Sequence, residues 1–234
     1  MNNEVVKITI DNTDINMIIG KRLCYSLEDA NRAKKEDEGD YVNFINNINF
    51  NKNDVILDIG ANAGSFAIYM SKKYDFTDIY SFEATREMYK LCQYNKKINN
   101  CDNIIFNNFA VSDGRLPFAR IYFRPDAITT GTINNNFSNT SIKNRKNEIF
   151  YNIKTISLDN IFKKFNIKKV KLLKIDCEGA EFDILYNSKQ LQAGNIEYIV
   201  GETHSFDKKK NNRESLLEYL EKYVDKEKMS WVGW

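Results

Sequence analysis

The chain predicts an α/β fold built on a doubly wound, mostly parallel sheet. From residue 55 onwards, strand-length apolar runs alternate with segments of helical period. The first run, Val55 to Ile59, carries Asp58 and ends in the small-residue turn Gly60-Ala61-Asn62-Ala63-Gly64. Two later runs also end on ionisable residues, at Lys174 to Glu181 and at Gly201 to His204. Alternating strands and helices imply parallel pairing. Such sheets bind ligands at the carboxyl ends of their strands, near the point where the strand order reverses, and the three clusters fall at such ends.

Taken in order, residues 4–20 alternate apolar and polar positions and predict one or two strands. Ser26 can cap a helix over 27–37, and Tyr41, Phe44, Ile45 and Ile48 follow helical spacing. Residues 1–53 are too polar in parts for a separate domain and are expected to cover the core domain, residues 54–234. Strand 55–59 leads to a helix near 64–73, strand 78–84 to a helix near 85–99, and strand 104–110 follows. The pattern then breaks over 112–151, which holds both prolines, Pro117 and Pro125, and a polar stretch from Thr129 to Asn144. The strand-like runs 116–123 and 148–156 can pair as an antiparallel insertion before the fourth core strand. Alternation resumes with a short helix (Leu158, Ile161, Phe162, Phe165), strand 170–176, a helix near 180–188, strand 196–203 and a helix near 213–225. Residues 228–234 remain for a final strand, fewer than a closing pair of strands needs.

At 234 residues the chain suits one structural domain with a sizeable core. A net charge of +2, with no basic block longer than Lys208-Lys209-Lys210, offers none of the concentrated stripe that nucleic acid would favour. No apolar run approaches the ~20 residues of a membrane span. Cys24, Cys92, Cys101 and Cys177 form no C-x-x-C pair and follow no signal peptide. They read as reduced thiols, so a cytoplasmic location is expected. The heavy use of Lys, Asn and Ile points to an AT-rich bacterial genome.

The turn at 60–64 discriminates among nucleotide ligands. A dinucleotide fingerprint needs G-x-G-x-x-G. Here Asn62 replaces the middle glycine and Ser65 the third, and the Gly-Lys-Ser/Thr of a phosphate loop is absent. Asp58, two residues before the first glycine, would repel a pyrophosphate but suits a ligand with an ammonium group. This stretch resembles the first motif of S-adenosylmethionine-dependent methyltransferases of the Rossmann-like class.

Glu83, at the end of the second strand, is placed to accept hydrogen bonds from both ribose hydroxyls. Asn108 ends the third strand, where a base would lie. Lys174 and Asp176 share one strand face, and Lys174 can serve as the partner of Asp176. Glu178 and Glu181 follow on the turn and first helical turn, where Glu181 also complements the helix dipole. Glu202 and His204, the only histidine, project to one side of the fifth strand. An unperturbed imidazole titrates near 6.5 and can accept a proton at neutral pH.

The motif series Leu-Asp-Ile-Gly-Ala-Asn-Ala-Gly, Phe-Glu-Ala, Ala-Val-Ser-Asp, Leu-Asp-Asn, Leu-Lys-Ile-Asp-Cys-Glu-Gly-Ala-Glu and Glu-Thr-His resembles the FkbM family of methyltransferases over about residues 54–204. The resemblance implies a Rossmann-like fold, S-adenosylmethionine as donor and O-methylation of a hydroxyl on a sugar, glycoside or polyketide-type molecule. By position, Asp58, Gly60, Ala61, Asn62 and Gly64 would surround the methionine portion. Glu83 and Ala84 would meet the ribose, and Asn108 to Ala110 the adenine side. Asp176, Glu178, Glu181, Glu202 and His204 would face the acceptor together with Lys174. His204 or Asp176 would remove the hydroxyl proton. No metal is required, although the acids around 176–181 and 202 could hold a divalent cation.

Arginines of the insertion, Arg115, Arg120, Arg124 and Arg145, with Lys146, could hold the phosphates of a nucleotide-linked sugar; a solvated loop is the alternative. A sugar or sugar-nucleotide acceptor for surface polysaccharide is therefore the expected partner. A nicotinamide-dependent sugar oxidoreductase or epimerase would share the fold and Glu83 but not the glycine spacing. A non-catalytic S-adenosylmethionine-binding subunit would keep the glycine turn without needing a strand-end base.

Overall fold

The computed structural model describes residues 4–19, 26–36, 41–124, 127–133, 149–205 and 210–233. Its centre is a six-stranded sheet in the order β12-β11-β10-β3-β4-β5, with every neighbouring pair parallel. These strands are β3 (Val55–Ile59), β4 (Asp78–Phe82), β5 (Ile104–Asn107), β10 (Val170–Ile175), β11 (Ile196–Thr203) and β12 (Met229–Gly233). Numbered as core strands in chain order, they run 3-2-1-4-5-6, the Rossmann arrangement. The order reverses between β3 and β10, so the crevice above those two strands is the expected ligand position.

Side-chain alternation divides the core in two. Ile56, Ile79, Leu172 and Val200 turn to one face, against helices α3 (Ser65–Lys73) and α4 (Arg86–Asn99). Leu57, Ile59, Leu173, Ile175 and Ile199 turn to the other, against α5 (Leu158–Lys164), α6 (Glu181–Tyr186), α7 (Lys189–Gln192) and α8 (Arg213–Leu220). Both faces are covered, and the strands accordingly read as nearly continuous apolar runs.

A single parallel strand, β12, closes the far edge of the sheet, and no antiparallel pair follows among the described residues. Gly201 makes this possible. A Cβ there would come 2.5 Å from the Trp231 ring and 2.8 Å from the Ile175 carbonyl oxygen, so only a glycine lets Trp231 lie against β11.

The N-terminal segment forms a hairpin, β1 (Glu4–Ile10) and β2 (Thr13–Ile19), then α1 (Leu27–Glu36) and a short turn of helix, α2 (Asn43–Ile45). Ile8, Ile10, Ile15 and Met17 join the same apolar cluster as Phe66, Tyr69 and Leu91. Asn99 Oδ1 and Asn95 Oδ1 accept from the N–H groups of Asn16 and Ile18, each at 2.8 Å, which fixes β2 on α4.

The insertion is a second sheet, in the order β6-β9-β7-β8. β7 (Phe118–Arg124) and β9 (Ile149–Ser157) pair antiparallel from Phe118↔Lys154 to Phe123↔Ile149. β6 (Ala110–Ser112) pairs parallel with β9, so the expected strand 104–110 is two strands belonging to different sheets. β8 (Ala127–Thr132) falls where composition indicated a polar loop. Ile128, Thr129, Thr130 and Thr132 are β-branched, and their preference for a pleated backbone prevails over their polarity. Among the described residues no helix is long and apolar enough to cross a membrane, and Cys92, Cys101 and Cys177 are free thiols.

Candidate active site

A cleft of about 200 Å³ opens at the carboxyl ends of β3, β4, β10 and β11. Of the expected site residues, Gly60, Asn62, Glu83, Ala84, Ala110, Asp176, Glu178, Glu202 and His204 line it. Asp58, Ala61, Gly64, Asn108, Lys174 and Glu181 are not in that wall. Most of them lie one layer beneath it, bonded to residues that are. Arg145 and the side chain of Arg124 lie outside the described residues. Arg115 pairs with Asp113 at 2.7 Å and the Arg120 guanidinium stacks 4.4 Å over Phe150, both away from the cleft.

One end of the cleft is built by the turn after β3. Gly60 and Ala61 both donate N–H bonds to the Phe82 carbonyl at 3.0 Å, so the turn folds over the end of β4. At Gly60, with φ +84°, a Cβ would stand 1.7 Å from the Asp176 carbonyl oxygen. The β3 turn therefore approaches the β10 end as closely as backbones can. Glu83 accepts from the N–H of Asn62 at 2.8 Å on Oε2 and from the N–H of Thr85 at 2.7 Å on Oε1. Each carboxylate oxygen keeps a second lone-pair direction for a ligand hydroxyl. Burial pushes the Glu83 pKa up to about 7, against the lowering effect of those N–H bonds. Asn108 Nδ2 donates to the carbonyls of Glu83 and Ala84 at 2.9 and 3.1 Å, pinning the chain that carries both.

Asp58 is completely buried below this turn. Period-two geometry puts it beside Lys174 and Ser81, its register partners on the neighbouring strands. Ser81 Oγ donates to Asp58 Oδ2 at 2.6 Å, and Lys174 Nζ lies 3.6 Å from Oδ1. The same ammonium donates to the Gly60 carbonyl at 2.7 Å and lies 3.6 Å from Asp176 Oδ2. Lys174, itself 4% exposed, thus ties the glycine turn, the β3 acid and the β10 acid into one unit. Burial raises the Asp58 pKa, while Lys174 and Ser81 hold it down.

At the other end of the cleft a single imidazole is surrounded by acids. His204 Nδ1 lies 2.9 Å from Oε1 of Glu181, a fully buried residue whose Oε1 also accepts from the Cys177 N–H at 2.8 Å. His204 Nε2 lies 3.7 Å from Glu178, 3.9 Å from Glu202 and 4.0 Å from Asp176. Burial lowers the His204 pKa, but the Glu181 bond and the charges of Glu181, Glu178 and Asp176 outweigh it and carry the value to about 10. The unperturbed imidazole expected from sequence is therefore an imidazolium at neutral pH. Burial, with help from the neighbouring acids, raises Glu178 to about 7 although His204 opposes it. Glu178 also has φ +54°, a left-handed backbone that non-glycine residues adopt at a cost of about 1–2 kcal/mol. Thr132 Oγ1 donates to its carbonyl at 2.6 Å, so the end of β8 holds this strained turn in place. One carboxylate oxygen each from Asp176 and Glu202 and a ring nitrogen of His204 could hold a cation, since the three donor atoms lie within 4.8 Å of one another.

These shifts share one sign. An acid whose folded pKa is raised keeps its proton longer in the fold than in the unfolded chain, so ionising it disfavours the fold. Glu83 and Glu178 lower stability as pH climbs from about 4.5 through 7. His204, charged in the fold and neutral in the unfolded chain, lowers it further from about 6.5 through 10. Thermal unfolding from pH 5 to 10 is expected to show Tm declining throughout. In His204→Gln the slope above pH 7 should flatten while the slope below it persists. An identical alkaline slope in both proteins would remove the imidazolium from the site.

Part of the cleft wall, Ile59, Phe82, Val111 and Ala180, lies inside the motifs, which gave those residues no role. Ile59, Phe82, Phe109, Val111 and Ile133 line the cleft, as do Thr85, Gly131, Cys177, Ala180 and Arg32. Phe109 directly precedes a motif, so strand-end position could have found it. Gly131 and Ile133 come from the second sheet and Arg32 from α1, where no local pattern singles them out.

Comparison with known proteins gives the family of the chain. The methyltransferase FkbM domain matches residues 58–227. The chain is 26% identical over 141 residues to Methyltransferase 1 of Beauveria bassiana (strain ARSEF 2860), covering 56% of each chain. It is 23% identical over 208 residues to Methyltransferase sdnD of Sordaria araneosa, covering 79% of each. It thus spans little more than half the length of the first of these relatives. Among solved structures, the precorrin-6y C5,15-methyltransferase of Geobacter metallireducens GS-15 aligns with 13% identity and a TM-score of 0.40, over 79% of this chain and 66% of that one. The M. jannaschii TYW2 structure in complex with AdoMet aligns with 18% identity and a TM-score of 0.33, over 51% and 48%. The fold assignment rests on the strand order and not on these two superpositions. With the domain match covering most of the sequence, from the β3 acid to the last helical turn before β12, the chain belongs to the FkbM family of S-adenosylmethionine-dependent methyltransferases.

Proposed function

We propose that this protein is an O-methyltransferase that moves the methyl group of S-adenosylmethionine to a hydroxyl of a sugar-type acceptor. The observation that carries this reading is the joining of two half-sites in one cleft. Glu83 and Asn62 stand at the nucleoside end, and Asp176, Glu178, Glu202 and His204 at the other. The residues present fit the donor. Asn62 Oδ1 is a buried acceptor in the cleft wall with no hydrogen-bond donor among the described residues, as a ligand N–H or O–H would require. The remaining side-chain donor set is predominantly acidic, which suits a sulfonium and an ammonium and opposes a pyrophosphate.

When bound, S-adenosylmethionine supplies a methyl group on positively charged sulfur, a leaving group that needs no metal. The chain's part is to hold an acceptor oxygen in line with that methyl about 3 Å away, worth up to ~7–11 kcal/mol, and to take the hydroxyl proton. His204 as an imidazolium has no lone pair for it. The proton goes to Asp176, whose two oxygens lie 3.6 Å from Lys174 Nζ and 4.0 Å from His204 Nε2. Lys174 and His204 hold that carboxylate at the cleft, and Glu181 holds His204. Glu178 and Glu202 remain to accept from further acceptor hydroxyls, which a polyol offers in number. The sugar-nucleotide version of the acceptor rests on Arg124, Arg145 and Lys146.

The test is product mass. Purified protein with the donor and a panel of free, glycosidic and nucleotide-linked sugars is expected to yield a product heavier by about 14 Da, equally well after exhaustive chelation. Activity lost on chelation and restored by magnesium would assign Asp176, Glu202 and His204 to a cation instead. Turnover confined to amine or carbon acceptors would refute O-methylation.

A further inference from the structure

Asparagine is poorly suited to the buried face of a helix, because its amide must find partners there or bear the cost of desolvation. Helix α4 nevertheless carries two in one row, Asn95 and Asn99, and Asn95 is wholly buried. Asn99 serves the hairpin: its amide exchanges bonds with the N–H and the carbonyl of Asn16, at 2.8 and 2.6 Å. Asn95 divides its amide between two parts of the fold. Its Oδ1 accepts the Ile18 N–H at 2.8 Å, and its Nδ2 donates to the Ala63 carbonyl of the glycine turn at 2.9 Å.

We propose that Asn95 is a positioning residue for the donor, gripping the glycine turn so that the side chain of Asn62 is held in the cleft wall. The inference rests on the reading of that turn as part of the donor's binding site, and it adds a residue that itself touches no ligand.

The turn needs such a grip. Asn62 has φ +52°, a left-handed backbone that asparagine tolerates better than most residues. That conformation persists where its surroundings over-determine it, and here they do. The Asn62 N–H goes to Glu83 Oε2 at 2.8 Å, and the Asn62 carbonyl accepts from the Cys92 thiol at 2.9 Å. The next carbonyl, that of Ala63, takes Asn95. Cys92 and Asn95 are three residues apart, so they act from one face of α4 on two successive carbonyls. Burial pushes the Cys92 thiol up, which keeps its proton in place as a donor. A thiol is a weak donor, so the amide of Asn95 supplies the stronger of the two bonds. With the main chain committed in this way, Asn62 Oδ1 stays in the cleft wall as the buried acceptor that a ligand N–H or O–H would meet.

The experiment is a set of calorimetric titrations with S-adenosylhomocysteine. Asn62→Gly keeps the left-handed backbone accessible and removes the acceptor. Asn95→Leu is expected to lose about ten-fold in affinity on its own but less than about two-fold in the Asn62→Gly background, since the two residues act as one unit. Asn99→Leu breaks hairpin bonds without touching the turn. It should lower Tm and leave affinity within about two-fold of wild type. Asn95→Ser, too short to bond both Ile18 and Ala63, should repeat the pattern of the leucine variant and replaces it if that protein fails to fold. Unchanged affinity in a folded Asn95 variant would overturn the proposal. So would a loss that persists in full in the Asn62→Gly background, or an equal loss in Asn99→Leu, because Asn95 would then be general support. Asn62→Gly that binds as tightly as wild type would remove the turn's side chain from the site, and the proposal with it. Wild-type protein that does not bind S-adenosylhomocysteine would overturn the donor assignment itself, an outcome read before any variant is made.

Discussion

Asp176→Asn lowers turnover by about 10²–10⁴-fold, the range that proton removal by a placed base contributes, while the affinity for S-adenosylhomocysteine changes by less than about ten-fold. The substitution keeps the size of the side chain and its approach to Lys174 but replaces a basic carboxylate with an amide that takes no proton. The fold should tolerate it, because Lys174 keeps Asp58 and the Gly60 carbonyl as partners. A kcat that falls while the affinity for S-adenosylhomocysteine holds separates a base from a structural residue. A variant with wild-type turnover would move the base to Glu178 or Glu202, the other cleft acids within 4.0 Å of His204.

Gly60→Ala is expected to remove most of the protein's stability, beyond about 5 kcal/mol, and to leave little soluble protein. Two effects add. The backbone at Gly60 has φ +84°, which costs an L-residue roughly 1–2 kcal/mol. The new methyl would also stand 1.7 Å from the Asp176 carbonyl oxygen and 2.8 Å from its carbon. Both are main-chain atoms of the adjacent strand end, so no rotamer change relieves the contact. Asp176 donates its own N–H to the Ile59 carbonyl at 3.0 Å, which locks the two chains at that spacing. Gly64→Ala is the control. It has the same sign of φ, but its Cβ would meet the Phe106 ring at 2.9 Å, a side chain that can shift. Chemical denaturation should rank Gly64→Ala well above Gly60→Ala in stability, and equal values would discredit the close approach of β3 and β10.

The same two residues show why the sheet was legible in the sequence. Long apolar runs buried on both faces and a small-residue turn leave few alternatives to a parallel sheet, and the positions of Asp58, Glu83, Asp176 and His204 at strand ends follow from it. Depth was not legible. Asp58 and Lys174 sit in the same motifs as Gly60 and Asp176, yet they face each other across β3 and β10 below the cleft. A motif records that a position matters without recording whether it meets the ligand or the residue that does. Nor was charge state legible. The pKa of His204 depends on Asp176, Glu178 and Glu181, acids from the end of another strand and the turn and helix start after it, and only their joint approach carries it to about 10 against the effect of burial. The parts missed entirely, Gly131, Ile133 and Arg32, reach the cleft through tertiary packing of segments whose local sequence reads as polar loop or ordinary surface helix.

Calorimetric titration of the wild-type protein with S-adenosylhomocysteine and, separately, with NAD addresses the nature of the pocket without needing the acceptor. The acidic cleft and the turn at Gly60 predict saturable binding of the homocysteine nucleoside and none of the dinucleotide. Saturable NAD binding with S-adenosylhomocysteine inert would contradict the donor, and with it every role assigned to Asp176 and His204.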